Sequence, residues 1–193
     1  IGLELGSVWN RLGSNVEIFE ALPDFLNLAD RDIAKEAKNQ FTKQGLKIHL
    51  DTKVTAVKSN TSALCLTYLK DDNETEKEFD RVIVAVGRKP NIDNLFSIDS
   101  GITLDESGRI NVDDKCQTSI PRVYAIGDCV RGPMLAHKGS EEGVMVAELI
   151  AGDIAEVNYD IIPSVIYTSP EIAWTGKNEM ELEEASVDYK IGL

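Results

Sequence analysis

Gly2 opens a helical pattern, and Glu20 closes the apolar run that follows it, 18 residues on. A glycine at a helix start lets the free backbone N–H groups and the positive end of the helix dipole approach an anion closely. An acid at the end of the next strand accepts hydrogen bonds from ribose hydroxyls. The pair is therefore the back half of a dinucleotide-binding turn. The acid favours a dinucleotide without a 2′-phosphate, which it would repel. The front half of such a turn, a buried strand with two more glycines, does not precede Ile1, so both ends of the chain read as interruptions. On spacing alone, Gly2 and Glu20 also fit any βαβ unit.

Three further strings carry chemistry. In "AVGRKPN" (85–91) an apolar run ends in glycine and meets a Pro-bearing loop, which allows close backbone approach to a ligand and equally suits a plain turn. In "YAIGDCVRGPMLAHKGSEEG" (124–143) a strand is expected to end at Gly127, with Asp128 at its carboxyl end, where ligands sit in layered α/β folds. A carboxylate there accepts hydrogen bonds from sugar-like hydroxyls. Met134 to His137 then lead into a helix whose N-terminus can face an electron-rich ring or an anion. The fourth string, "IPSVIYTSPEIAWTG" (162–176), predicts two strands with an aromatic face and forces no catalytic group.

The two histidines, His49 and His137, have no partner carboxylate fixed by spacing, and no Ser-His-Asp grouping or metal spacing is visible. Cys65, Cys116 and Cys129 are odd in number and form no C-x-x-C pair, so they read as small buried hydrophobes rather than a disulfide framework or a zinc site.

The elements that must position these groups follow from periodicity. "LELGSVWNRLG" (3–13) has helical spacing, with a stripe of Leu5, Val8, Trp9 and Leu12 and a left-handed cap at Gly13. "NVEIFE" (15–20) reads as a short strand. "ADRDIAKEAKNQFTKQG" (29–45) reads as an amphipathic helix, capped by Asp30 and Gly45, with Ile33, Ala37 and Phe41 inward. Period-two runs predict strands over 46–50, 53–58, 63–69 and 77–80, with a turn at 71–75. "RVIVAVG" (81–87) reads as a central strand covered on both faces. Beyond the loop "RKPNIDNL" (88–95), a second unit has strands at 110–112 and 122–128 and a helix over 136–152. "YKIGL" (189–193) is strand-like and leads nowhere.

The bulk numbers set limits. The 193 residues are 42% hydrophobic, enough for a real core, and the net charge of −13 with no basic run excludes a basic nucleic-acid face. "EMELEE" (179–184) reads as a solvated helix face. No stretch approaches the ~20 apolar residues of a membrane span, and no secretory leader is visible.

Taken together, "IGLELGSVWNRLG", "AVGRKPN", "GDCVRGPMLAHKGSEEG" and "IPSVIYTSPEIAWTGK" make almost the whole chain resemble the pyridine nucleotide–disulfide oxidoreductase family, and within it the branch that oxidises dihydrolipoamide. Glutathione and mercuric reductases share the frame but do not usually join "GPMLAHK" to "PEIAW". Ser169, where the family commonly has His, is a minor departure.

The resemblance implies an α/β fold. Residues 1–88 would be a Rossmann-like NAD-binding domain lacking its first strand, 89–160 a central FAD-contacting domain, and 161–193 the start of an α+β dimer-interface domain. It implies cofactor-binding roles residue by residue. Gly2 matches the last fingerprint glycine, Glu4 the acid between nicotinamide and flavin, and Glu20 the ribose-binding acid. Val54 matches the residue beside the adenine, and Ala85 and Gly87 the backbone approach to the nicotinamide side. Asp128 matches the acid that holds the ribityl and pyrophosphate region of FAD. Met134, Leu135, Ala136 and His137 match the segment under the flavin.

The resemblance also implies what lies outside the chain: the redox Cys-x4-Cys pair, the His–Glu base and the adenine half of the FAD site. The whole enzyme would pass electrons from dihydrolipoamide through a disulfide and FAD to NAD, as a homodimer serving the lipoyl domains and acyltransferase core of 2-oxo acid dehydrogenase complexes. Its place would be the bacterial cytoplasm or the mitochondrial matrix, with no nucleic acid or membrane as partner. The 193 residues alone would be inactive and would hold FAD weakly or not at all. The alternatives are another FAD-disulfide reductase of the same family and a non-enzymatic scaffold fragment.

Overall fold

Asp30 accepts a hydrogen bond from the amide of Asp32 at 3.0 Å and so starts the helix that divides the first unit. This is a computed structural model, and it describes residues 1–60 and 63–192. The chain separates into two compact units, one of residues 1–86 with 165–193, the other of residues 87–164.

In the first unit, α1 (Gly2–Arg11) leads through Gly13, in the left-handed region at φ 97°, into β1 (Glu17–Phe19). Helix α2 (Arg31–Lys43) crosses to β2 (Lys47–His49), which pairs parallel with β1 in the register Glu17 to Lys47. Parallel pairing demands such a crossover, so the α/β class is met locally. An antiparallel meander follows, made of β3 (Lys53–Ser59), β4 (Leu64–Lys70) and β5 (Asn73–Phe79). Its tight turn places Asp71 and Asp72 at φ 50° and 60°, the twist a two-residue hairpin requires. The strand expected at 77–80 therefore begins earlier, at Asn73.

The core gathers on α2. Ala37, Phe41, Leu46 and Ile172 are buried together, with Leu3, Ile18, Ile48, Ile166 and Trp174 packed against them. Ile166 and Ile172 come from the paired strands β6 (Ser164–Ile166) and β7 (Ile172–Trp174). Asn178 and Glu181 then form a reciprocal capping box on α4 (Glu179–Glu184).

Several expectations are corrected. The stripe foreseen on α1 faces outward: Leu5, Val8, Trp9 and Leu12 are all exposed, while Gly6 and Ser7 are buried. Closeness decides this, because the side of α1 without bulk lets the helix sit down on Val16, Ile18 and Leu46. On α2, Ala37 and Phe41 are buried as expected, but Ala34 is buried in place of Ile33, which is exposed. "RVIVAVG" forms no strand, and Val84 and Val86 are 73% and 94% exposed. A parallel strand needs a neighbour to take its N–H and C=O groups, and among the described residues none lies beside 81–86. Residues 189–192 are likewise irregular, and Leu193 lies outside the described residues.

In the second unit, residues 87–135 are built from turns and two isolated bridges, Leu104 to Ile110 and Gln117 to Tyr124. The strands expected at 110–112 and 122–128 are reduced to those bridges, and Gly127–Cys129 forms one 3-10 turn. Helix α3 (Ala136–Ala151) then runs to a left-handed cap at Gly152, φ 97°. No helix among the described residues is long and apolar enough to cross a membrane.

Candidate functional site

Each unit carries its own cluster. In the first, Gly2 is the opening residue of α1, and a β-carbon added to it would stand 3.2 Å from the Cβ of Ala85. The glycine thus brings the helix start against the 81–86 segment. Glu4, in the first turn, accepts a hydrogen bond from the Tyr167 amide at 2.9 Å. That bond holds its carboxyl below the usual range, outweighing the opposing effect of burial. Glu20 follows β1. Its carboxylate accepts from the Leu22 amide at 2.9 Å, and its backbone is held by His49 and Thr52, so the side chain is fixed at the strand's carboxyl end. Val54 lies 40% exposed on β3, next to an irregularity in the pairing with β4.

In the second unit, Asp128 sits on the 3-10 turn, and Arg88 donates to its Oδ2 at 3.2 Å. The other arm of the guanidinium donates to the carbonyl of Met134. Gly87, at φ 128°, precedes that arginine and makes the bend that only glycine takes easily. Leu135 is the N-cap of α3, and no side chain caps the helix there. Ala136 and His137 therefore open a helix whose first amide groups no side chain caps, the arrangement that favours an anion or electron-rich group. His137 Nε2 lies 2.8 Å from the Pro163 carbonyl, to which it donates, and that orients the ring. Arg88, Lys89, Asn91, Ile126, Asp128, Cys129 and Met134 line an open cleft of about 470 Å³. No group of His, Cys, Asp and Glu suited to a metal occurs among the described residues.

Residues 1–143 match the family model described as pyridine nucleotide-disulphide oxidoreductase, and residues 162–193 match the dimerisation domain of that family. The chain belongs to the pyridine nucleotide-disulphide oxidoreductase family.

Among relatives of this chain, the dihydrolipoyl dehydrogenase of Cupriavidus necator is 52% identical over the whole chain, which covers 41% of that protein. The mitochondrial dihydrolipoyl dehydrogenase of Dictyostelium discoideum is 43% identical, again over the whole chain and 40% of the relative. The chain thus spans about two fifths of the length of the curated relatives it matches. Two solved structures share its fold. The HOCl-induced flavoprotein disulfide reductase RclA of Escherichia coli covers 95% of this chain with 42% of its own, at TM-score 0.83 and 24% identity. LpdA of Mycobacterium tuberculosis covers 95% with 39% of its own, at TM-score 0.84 and 22% identity.

Sequence reasoning passed over four residues of these clusters. Gly6 makes the close helix–strand approach beside Gly2: a β-carbon there would meet Val16 at 3.4 Å. Arg88 was visible only as part of a loop string, since its partners lie 40 and 46 residues on. Lys138 and Glu142 have the spacing of an exposed helix pair, yet both are fully buried. The available signal was Met145, which continues their face at helical spacing and is itself buried.

Proposed function

We propose that the whole protein carrying this chain is an NAD-dependent flavoprotein that oxidises protein-bound dihydrolipoamide, that is, a dihydrolipoyl dehydrogenase. The observation that carries the reading is the identity of 52% that runs unbroken over all 193 residues to a protein of that name. The geometry fits both cofactors. Gly2 opens α1 without a side chain in the way, and Glu20 is held at the end of β1, which suits the pyrophosphate and ribose of NAD. Asp128, backed by Arg88, borders a cleft beside Met134, and α3 begins uncapped, which suits the sugar-like chain and the ring of FAD. When bound, the flavin supplies the two-electron relay between a dithiol and the nicotinamide.

In this reading the chain's residues bind and orient. Gly2, Glu20, Val54 and Ala85 serve NAD, Gly87 the backbone approach to it, and Glu4 lies near the nicotinamide, kept ionised by the Tyr167 amide. Asp128 and the Met134–Leu135–Ala136–His137 segment serve FAD. Residues 1–88, 89–160 and 161–193 would be the NAD, central and interface domains. The dimerisation segment supports a homodimer. The partners would be lipoyl domains and the acyltransferase core of 2-oxo acid dehydrogenase complexes. The setting would be a bacterial cytoplasm or a mitochondrial matrix, since relatives of both kinds are similar.

The test is steady-state reduction of NAD⁺ by dihydrolipoamide with the full-length protein. Robust NADPH-dependent reduction of glutathione disulfide or mercuric ion, without dihydrolipoamide oxidation, would overturn the reading.

A further inference from the structure

Lys138 and Glu142 are fully buried in α3, and nothing in the proposed cofactor chemistry uses them. Charges so placed are costly unless every donor and acceptor is matched. Here they are matched, by the backbone of the 127–131 turn and by one tyrosine hydroxyl. The Lys138 ammonium donates to the carbonyl oxygens of Gly127 and Arg131, each at 3.0 Å, and to Glu142 at 3.1 Å. Glu142 Oε2 accepts from the Gly127 amide at 2.7 Å, and Oε1 from the Tyr159 hydroxyl at 2.9 Å. The pair thus grips Gly127 by both its N–H and its C=O.

Two glycines make the grip possible. Gly127 stands at φ 76°, in the left-handed region. Gly139, between the two charged residues on α3, faces it so closely that an added β-carbon would lie 3.1 Å from the Gly127 Cα. Tyr159 closes the far side: the Arg131 guanidinium lies over its ring at 5.6 Å. Burial and the bond to Glu142 push the Tyr159 hydroxyl well above the usual tyrosine range, so it serves as a donor.

We propose that Lys138 and Glu142 are positioning residues: a buried ionic clasp that presets the Gly127 turn so that Asp128 stands ready for its ligand before the ligand arrives. A turn held in advance spares the ordering cost of binding. A carboxylate one residue from a doubly gripped glycine has little freedom to drift. The inference rests on the reading that Asp128 holds FAD.

The experiment uses the full-length flavoprotein, stripped of FAD and titrated with it while flavin fluorescence is followed. Two double variants both remove the buried charges. Lys138→Met with Glu142→Gln keeps an acceptor for the Gly127 amide, whereas Lys138→Met with Glu142→Leu does not. Both lack the Lys138 grip on the Gly127 carbonyl and should bind FAD more weakly than the parent, the second about tenfold more weakly than the first, the scale of one lost hydrogen bond. Free of FAD, the second should melt lower because a buried amide loses its acceptor, so its FAD affinity is judged against a core variant of equal melting temperature. Equal FAD affinity, or affinity that merely follows the melting temperature, overturns the clasp.

A measurement on the unmutated protein decides the matter even where a variant does not fold. By hydrogen exchange, the segment 124–131 should stay protected after FAD is removed. Full exchange on stripping overturns a preset turn. Asp128→Asn separates the two ideas. If it leaves FAD affinity unchanged, the reading of Asp128 falls and takes the proposal with it. If it weakens binding while the two double variants bind alike, the clasp alone falls.

Discussion

Gly2 and Ala85 meet so closely that a methyl group on the glycine would rest 3.2 Å from the alanine's Cβ. The helix start is thereby seated on the 81–86 segment, and anything larger than glycine must push them apart. Gly2→Val in the full-length protein should cost about 1–3 kcal/mol of stability, as overpacking does. If the full-length protein oxidises dihydrolipoamide with NAD⁺ as proposed, it should also raise the KM for NAD⁺ with little change for dihydrolipoamide. Gly2→Ala should do less, and adding Ala85→Gly should recover most of what it loses. Chemical unfolding and NAD⁺ titration check this; unchanged stability and KM in Gly2→Val would refute the seating.

Phe41 is fully buried at the centre of the first unit, its ring centroid 6.4 Å from that of Phe25 in an edge-on contact. Phe41→Ala should lower unfolding free energy by about 3–5 kcal/mol, through lost transfer and an unfilled cavity. Phe25→Ala, at a half-buried position, should cost clearly less. Urea unfolding of the two variants measures the difference, and equal losses would mean that the core is centred elsewhere.

How far the chain could be read in advance depended on where each residue's partners lie. Helices α2 and α3 and the β3–β4–β5 meander were legible because their signals are local: Asp30 caps its own helix, and Asp71–Asp72 turns its own hairpin. The 81–86 run was misread because strand formation is a property of pairs, and its composition speaks only of burial. The outward face of α1 was misread for a related reason. Apolar spacing marks a stripe, but the glycine side packs because it is thin. Within the candidate clusters, Asp128 and Met134 to His137 stand in one contiguous string and could be picked out together. The Arg88 bridge and the Gly127 clasp depend on side chains meeting across turns, which no spacing rule announces.

Glu17 gives a pH test. Its carboxylate side chain is 3% exposed and receives Lys77 at 2.8 Å, His49 at 3.1 Å and Lys47 at 3.4 Å. Burial alone would raise its pKa; these three partners together outweigh burial and hold it below the usual 4.5. A carboxyl whose folded pKa is depressed adds stability above its unfolded value and loses it as pH falls through the folded one. Glu17→Gln should therefore cost about 1–3 kcal/mol near neutrality, the scale of a buried group left without its partner. Parent and variant should converge as the medium is acidified below pH 4.5. Denaturant midpoints across the acid range check this, and a gap that widens on acidification would contradict it.

Arg88 separates binding from stability. Its guanidinium is half exposed and spans Asp128 and the Met134 carbonyl, so as a surface contact it should matter little to folding. Arg88→Ala should shift the unfolding free energy by less than about 1 kcal/mol. In the full-length protein it should still weaken FAD retention severalfold, because one planar fork holds both sides of the cleft at once. Arg88→Lys should rescue only part of the loss, since an ammonium cannot reach both partners in that geometry. Apparent FAD affinity, measured beside thermal melting, decides the matter: if Arg88→Lys restores parental affinity, charge alone is what the position supplies, and the bridging role is wrong.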